Sequence, residues 1–396
     1  MDQSSPQSMV MSVALPTDAA RIAPAPRAPS LSVVQSRFRL AQPQDAAPDA
    51  WSNALAQLLG WLGVDAEFVP AERPRRLPRM ADWRGAALAG PAPVFSPWTG
   101  WSPAAFQHGG LPGLPGAQYV ASYLIDHARG AAATPGQGGA DLLLMSPHPS
   151  VCVAEEAGDV PTPSPAVMRA MIRAARAEGR ERIAIILHAR QRNAIARQLL
   201  AAGKGMTRDG LTLDVLTIED ALPPLVSGAP QWDAIIAMPD LRSTVFTLLG
   251  QTSGVQRAWP MLWFGGDGQL SLVTSEAAGD GMSRLALDAP ALIHALALTL
   301  HEAGMGRAAW RLHEAWARLR DSGVTTAGHG GDGPYVNVVE DAVFCDMLAR
   351  DAAVSQRPQR PWRALKNAEI AKVGSQMPHL RVVASNLAIP SQMKGR

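Results

Sequence analysis

The stretch WDAIIAMPDLRSTVFTLLGQTSG, Trp232 to Gly254, sets an apolar run, a polar switch at Met238–Pro239–Asp240 and a helical pattern in succession. Strand, polar loop and helix in that order build ligand sites in open α/β proteins, because strand ends and helix N-termini converge there. A site for an anionic substrate or a cation would place basic groups or carboxylates on the first two turns of that helix; this one offers the hydroxyls of Ser243, Thr244 and Thr247. The remaining chemistry lies in the neighbouring segments. His188 closes the apolar run RIAIILHA, where an imidazole could act as a base near neutral pH. Glu219, Asp220 and Asp240 could together form a carboxylate cluster; the competing reading is three solvated loop acids. His294, His301 and His313 fall on helical patterns, His294 and His301 on one face, and their leucine surroundings favour core or interface contacts.

The elements that must position these residues alternate. ADLLLMS, RIAIILHA, LTLDVLTIE and DAIIA are predicted strands. Between them, SPAVMRAMIRAARAEG reads as a helix with Ser164 as N-cap, Pro165 in its first position and Gly179 as its stop, and RNAIARQLLAAG as another. DALPPLVSG is a short proline-interrupted segment. Such alternation predicts a largely parallel sheet with helices on both faces. Upstream, a helix from Trp51 ends at Gly63, short strands follow at Ala66–Val69 and in AALAG, and residues 91–118, dense in Pro and Gly, read as loops around a helix or two. Downstream, DAPALIHALALTLHEAG, GRAAWRLHEAWARLRDSG and YVNVVEDAVFCDMLARDAA are three predicted helices.

Composition removes several function classes. A chain of 396 residues, 47% hydrophobic, can bury a large core, and 36 basic against 34 acidic residues give +2, with no bulk charge to draw nucleic acid or a membrane surface. No run reaches the ~20 apolar residues of a membrane span. Cys152 and Cys345 sit among apolar residues without metal-ligand spacing, as buried thiols of a reducing compartment do, and a cytoplasmic location is expected. Residues 1–50 read as a disordered arm, and the chain after about residue 353 as an irregular basic tail. Phosphate-binding G-x-x-x-x-G-K-[ST], the G-x-S-x-G elbow and H-E-x-x-H are absent, and the two GGDG strings read as tight turns.

The order of these segments resembles the isocitrate and isopropylmalate dehydrogenases, metal-dependent NAD(P)-linked β-decarboxylating enzymes. Their fDVivt strand and N-L-F-G-D-I-L-S-D helix match WDAIIAMPDLRSTVFTLLGQTSG without a gap; GRERIAIILHA is similar to GRKKVTvVHKA, DAPALIHALALTL to NPtaailsaamml, and HGGDGPYVNVVEDAV to the closing Gly-Gly segment and helix. Together these span roughly residues 120–350. The resemblance implies an isopropylmalate-dehydrogenase-like three-layer α/β/α fold, with a large subdomain of residues 51–125 plus 263–353 and a small one of 126–262 that carries a dimer interface. The apolar run Val245–Leu249 suits a buried helix at that interface.

Carried over residue by residue, the family's chemistry thins out. Its paired metal aspartates fall on Thr244 and Leu248, and of its cation ligands only Glu219, fourteen residues before Asp233, remains a carboxylate. Its lysine falls on His188, or on Gln191 if Asn193 is aligned instead, and its tyrosine on Val153; its Arg-Glu-Asn becomes Ser146, Pro147 and His148. Its cofactor segment H-G-S-A-P-D-I-A-G maps onto SEAAGDGMS, so that its His becomes Ser275 and its Gly becomes Glu276, while Asp280 matches its Asp and the adenine-contacting Asn falls on Asp288. Arg129 is the one substrate arginine with a counterpart. The resemblance implies NAD(P) and Mg2+ as cofactors. The residues point to a catalytically silent pseudoenzyme that serves as a binding or assembly protein, homodimeric, with a small-molecule ligand or a protein partner; an NAD(P)-dependent oxidoreductase with altered chemistry on a small 2-hydroxy acid is the alternative.

Overall fold

The computed structural model describes residues 31–35, 48–64, 66–70, 93–101, 117–125, 141–154, 160–201, 211–227, 232–252, 259–265, 268–276, 289–326, 336–350 and 365. Its central feature is a ten-stranded sheet. In chain order the elements are β1 (Leu31–Gln35), α1 (Pro48–Leu62), β2 (Ala66–Pro70), β3 (Val94–Trp101), β4 (Tyr119–Ile125), β5 (Asp141–Pro147), β6 (Cys152–Val153), β7 (Thr162–Pro163), α2 (Pro165–Ala177), β8 (Arg182–Leu187), α3 (Arg192–Ala201), β9 (Thr212–Thr217) and α4 (Ile218–Val226). They continue with β10 (Ala234–Ala237), α5 (Arg242–Thr252), β11 (Trp259–Phe264), β12 (Leu270–Glu276), α6 (Ala289–Glu302), α7 (Gly306–Asp321), β13 (Val324–Thr326), β14 (Asn337–Val339) and α8 (Asp341–Ala349). The sheet order is β2-β1-β3-β12-β11-β4-β5-β10-β8-β9. β5, β10, β8 and β9 run parallel, whereas β4 is antiparallel to both β5 and β11.

Successive side chains of a strand point to opposite faces, so a strand covered on both sides must be apolar throughout. Ile183, Ile185 and Leu187 of β8 join Leu143, Met145 and Ile236 in a core with α1, α2, α6, α7 and α8. Ala184 and Ile186 turn the other way, into a second core with Leu142, Leu144, Ile235 and Ala237, closed by Ala221 and Leu225 of α4 and Val245, Phe246 and Leu249 of α5. The chain is therefore α/β, with helices on both faces of the sheet. Among the described residues no helix is long and apolar enough to cross a membrane.

Local signals set the helix ends. The Ser164 side chain accepts from the Val167 amide at 3.4 Å and Pro165 occupies the first turn, while Gly179 ends α2 at φ 73°, a conformation only glycine adopts freely.

Five expectations need correction. Leu31–Gln35 is a strand, paired in parallel with β2 and β3, so the N-terminal arm does not run unstructured through residue 50; Pro, Ser and Arg around LSVVQ hid a short β-branched run. The helix expected from Trp51 begins at Pro48, a residue suited to a first turn. Within 91–118, read as loops, Val94–Trp101 forms β3, its pairing with β12 shifting register along a strand that contains Pro97. DALPPLVSG belongs to helix α4 despite Pro223 and Pro224, because the Thr217 hydroxyl caps the Asp220 amide at 3.3 Å and Ala221 and Leu225, one turn apart, are anchored in the core. The third helix of the last third begins at Asp341, after a short strand at Asn337–Val339. The predicted AALAG strand lies outside the described residues.

Candidate functional site

The connections that leave neighbouring strands locate a crevice. From the C-terminal ends of β5 and β8 the chain turns to α2 and α3, whose Met168, Ile172 and Ile195 lie in the first core; from β10 it turns to α5, whose Val245, Phe246 and Leu249 lie in the second. β10 stands between β5 and β8. Both of its flanks are therefore topological switch points, where departing loops diverge and leave room outside the strand ends for a ligand.

His188 leaves β8 and Asp240 leaves β10, and their side chains meet across this crevice, His188 Nε2 against Asp240 Oδ2. Both are partly open to solvent, at 38% and 45% exposure, so ligand access does not require the fold to open. The loop that carries His188 is fixed from beneath. Its amide donates to Gln191 Oε1 at 3.0 Å, and buried Gln191 Nε2 donates to the Pro161 carbonyl at 2.8 Å. From the end of β5 come His148, whose Nδ1 lies 2.6 Å from Ser150 Oγ and whose basicity is lowered by burial, and Cys152. Burial, then the nearby Asp240 carboxylate, pushes the Cys152 thiol up to about 12, and its Sγ donates to the His148 carbonyl oxygen at 3.6 Å. Cys152 is thus a neutral thiol at neutral pH, not an activated nucleophile.

The first residue of α5 turns inward. Arg242 is wholly buried, its Nε donating to Glu276 Oε1 at 3.0 Å, one terminal nitrogen to Ser146 Oγ at 3.0 Å and the other to Ser122 Oγ at 2.7 Å and Glu276 Oε2 at 2.5 Å. The Ser122 hydroxyl donates in turn to Glu276. Five hydrogen bonds thus join α5, β4, β5 and β12, and the guanidinium fork and carboxylate satisfy each other where water is excluded. Sequence reading missed this cluster. Its only local signals were one arginine at an otherwise apolar helix start and one glutamate closing LSLVTSE.

Of the other expected site residues, Thr244 is exposed and Leu248 half-buried on the outer side of α5. Glu219 is exposed in the first turn of α4. Asp220 accepts from the Thr217 hydroxyl at 2.9 Å, a reciprocal helix cap. Asp240 is paired with His188. The acids do not converge, and among the described residues no group of three or more His, Cys, Asp or Glu side chains could hold a metal ion. The described residues therefore do not fit the Mg2+ centre that the resemblance implies. Arg129, Asp280 and Asp288 lie outside the described residues. Val245, Phe246 and Leu249, expected at a dimer interface, pack inside the chain, Phe246 against Trp259 at 4.4 Å between ring centroids. Leu222 and Val226 of α4 are left exposed. His294 and His313 are buried core histidines, as their leucine surroundings suggested, and His301 is half-buried.

No protein-family model and no curated protein matches this chain. Solved structures do. The isocitrate dehydrogenase of Methylococcus capsulatus is similar over 81% of this chain and 98% of its own, with a TM-score of 0.51 and 13% identity. The TT0538 protein of Thermus thermophilus is similar over 85% of this chain and 71% of its own, with a TM-score of 0.50 and 13% identity. At such identity the likeness is one of fold.

Proposed function

We propose that this chain is a divergent relative of the isocitrate and isopropylmalate dehydrogenases that has lost their metal-dependent oxidation and works as a homodimeric binding protein, taking a small ligand in the crevice beside β10. The observation that carries the reading is the fate of the helix that opens within WDAIIAMPDLRSTVFTLLG. Its first residue, Arg242, is turned into the sheet and neutralised by Glu276, and the positions behind it present the uncharged Thr244 and Leu248. Stabilising an enolate needs a cation held by hard oxygen ligands, and this helix supplies no carboxylate for one. Glu276, which falls where the family's cofactor segment has glycine, fills with a side chain a place that would otherwise be bare backbone. The exposed Leu222 and Val226 of α4 offer an apolar surface for a second copy.

The second reading, an NAD(P)-dependent oxidoreductase acting on a small 2-hydroxy acid by altered chemistry, rests on the His188–Asp240 pair. A carboxylate fixes the tautomer and orientation of an imidazole, which equips His188 to take a proton from a hydroxyl placed in the crevice.

One experiment separates the two. Thermal melting of the full chain is followed with NAD, NADP, Mg2+ and a panel of isocitrate, 3-isopropylmalate, tartrate and malate, with reduced-cofactor absorbance recorded on the same mixtures. Binding to the folded state alone raises the melting temperature by mass action. The silent reading expects a shift with a hydroxy acid and no cofactor reduction; reduction at a few turnovers per second would overturn it.

A further inference from the structure

We propose that the outward face of α2 and α3 is a docking surface for an anionic phospholipid bilayer. The proposal is independent of the ligand reading: it uses none of the residues that meet in the crevice beside β10, and it lies on the other side of the sheet from Leu222 and Val226 of α4.

The net charge of +2 conceals an uneven distribution. Every charged side chain of α2 and α3 is an arginine: Arg169, Arg173 and Arg176 on α2, Arg192 and Arg197 on α3. On the opposite face of the sheet, α4 carries Glu219 and Asp220 and no base. α2 leads from β5 toward β8 and α3 from β8 to β9. Both turn their apolar sides into the first core, α2 through Met168, Met171 and Ile172 and α3 through Ile195, so the two helices lie side by side on one face of the parallel strands. With those sides turned in, Arg173, Arg176, Arg192 and Arg197 are exposed and Arg169 is half-buried. Leu200, three residues beyond Arg197 and so on the same side of α3, is 81% exposed, more than any other large apolar side chain among the described residues.

Helix stability does not account for this arrangement. Arg169 and Arg173, four apart, and Arg173 and Arg176, three apart, are like-charged neighbours that weaken a helix. Neither helix has an acid in its first turn, and α3 opens with Arg192 at the positive end of its dipole. Elsewhere exposed arginines are matched, Arg182 by Asp233, Arg318 by Glu314 and Arg350 by Asp346. An anionic surface would relieve the repulsion, and the pattern says which kind. α2, at 13 residues, is about 20 Å long, so its cations are spread over a plane rather than gathered in a pocket, as a layer of lipid phosphates requires. Leu200 suits the acyl boundary beneath that layer, where interfacial leucines insert. A nucleic acid would leave Leu200 in water and finds no aromatic side chain on either helix for a base to stack on. A protein partner would need an apolar centre ringed by polar groups, whereas Leu200 stands in the last turn of α3, at the margin of the cations.

The test is cosedimentation of the full-length chain with phosphatidylcholine vesicles, with and without phosphatidylglycerol, at low and high salt. Wild type is expected to pellet with the anionic vesicles alone and to be released by salt. Each basic side chain held at an anionic bilayer strengthens binding by about fivefold, so Arg173→Gln, Arg176→Gln and Arg192→Gln together should weaken it about a hundredfold. Leu200→Gln should weaken it several-fold and leave the salt dependence in place. All four side chains are exposed, so the variants should melt as wild type does. Undiminished binding by the arginine variant would put the anionic contact elsewhere in the chain and overturn the proposal. A Leu200→Gln variant that binds like wild type would overturn it too, as would a wild type that ignores vesicles and binds nucleic acid or polyglutamate instead. Should a variant not fold, the wild-type arms decide: equal sedimentation with both kinds of vesicle, or with neither, would overturn it.

Discussion

Replacing Arg242 by methionine gives the sharpest check on the buried cluster. The guanidinium makes four of its five hydrogen bonds, and its loss leaves the Glu276 carboxylate, 1% exposed, facing Ser122 with no counter-charge. Breaking a buried pair by removing one partner costs about 3–5 kcal/mol, because the surviving charge must be desolvated alone or protonated. A chain of 396 residues at about 2.1 cal/mol/K per residue has an unfolding entropy near 0.8 kcal/mol/K, so this loss corresponds to a fall in Tm of about 4–6 °C. Calorimetry on Arg242→Met, Glu276→Met and the double variant completes the cycle. Removing both charges leaves nothing to desolvate, and well-packed apolar replacements of buried pairs are commonly neutral or better, so the double variant should recover more than half of the loss. Single variants within about 1 °C of wild type, or a double variant that falls by the sum of the singles, would refute the reasoning.

Other outcomes test the site and the assembly. Thr244→Asp combined with Leu248→Asp should raise Mg2+ affinity in isothermal titration without producing dehydrogenase turnover; turnover would mean that an acid–base pair operates after all. His188→Asn and Asp240→Asn should each abolish the thermal shift given by whichever hydroxy acid stabilises wild type while leaving the unliganded Tm within about 1 °C, since a half-exposed polar pair contributes little to stability. Light scattering at micromolar concentration should give a dimer, and Leu222→Glu with Val226→Glu a monomer that still melts cooperatively, because both side chains are exposed in the single chain. Glu178→Gln should flatten the loss of stability on the alkaline side: burial raises the Glu178 carboxyl, so its contribution is present below about pH 4.5 and lost as pH climbs through its folded value, and a neutral amide has nothing to lose. Urea midpoints from pH 4 to 8 would show it.

How far the sequence discloses this molecule depends on the range of the interactions involved. The strands of the parallel region were legible because Ile183–Leu187 and Ala234–Ala237 are apolar on both faces, a pattern written in consecutive residues. Helix α2 was legible to its caps, since Ser164, Pro165 and Gly179 each act within one turn. β1 escaped because five residues between turn-forming neighbours carry too little pattern, and their pairing with β2 and β3 is what makes them a strand. The site was half legible for the same reason. His188 and Asp240 could each be singled out as polar residues ending apolar runs, yet they meet only because β10 inserts between β5 and β8, an order that no local spacing encodes. Arg242 and Glu276 lie 34 positions apart and became partners only once α5 packed onto the sheet. A sheet core accepts many aliphatic residues of suitable volume at each position, whereas a cation site accepts few residue types at a handful of places. A fold can therefore stay similar to that of an isocitrate dehydrogenase at 13% identity while the start of α5 turns an arginine inward to a glutamate.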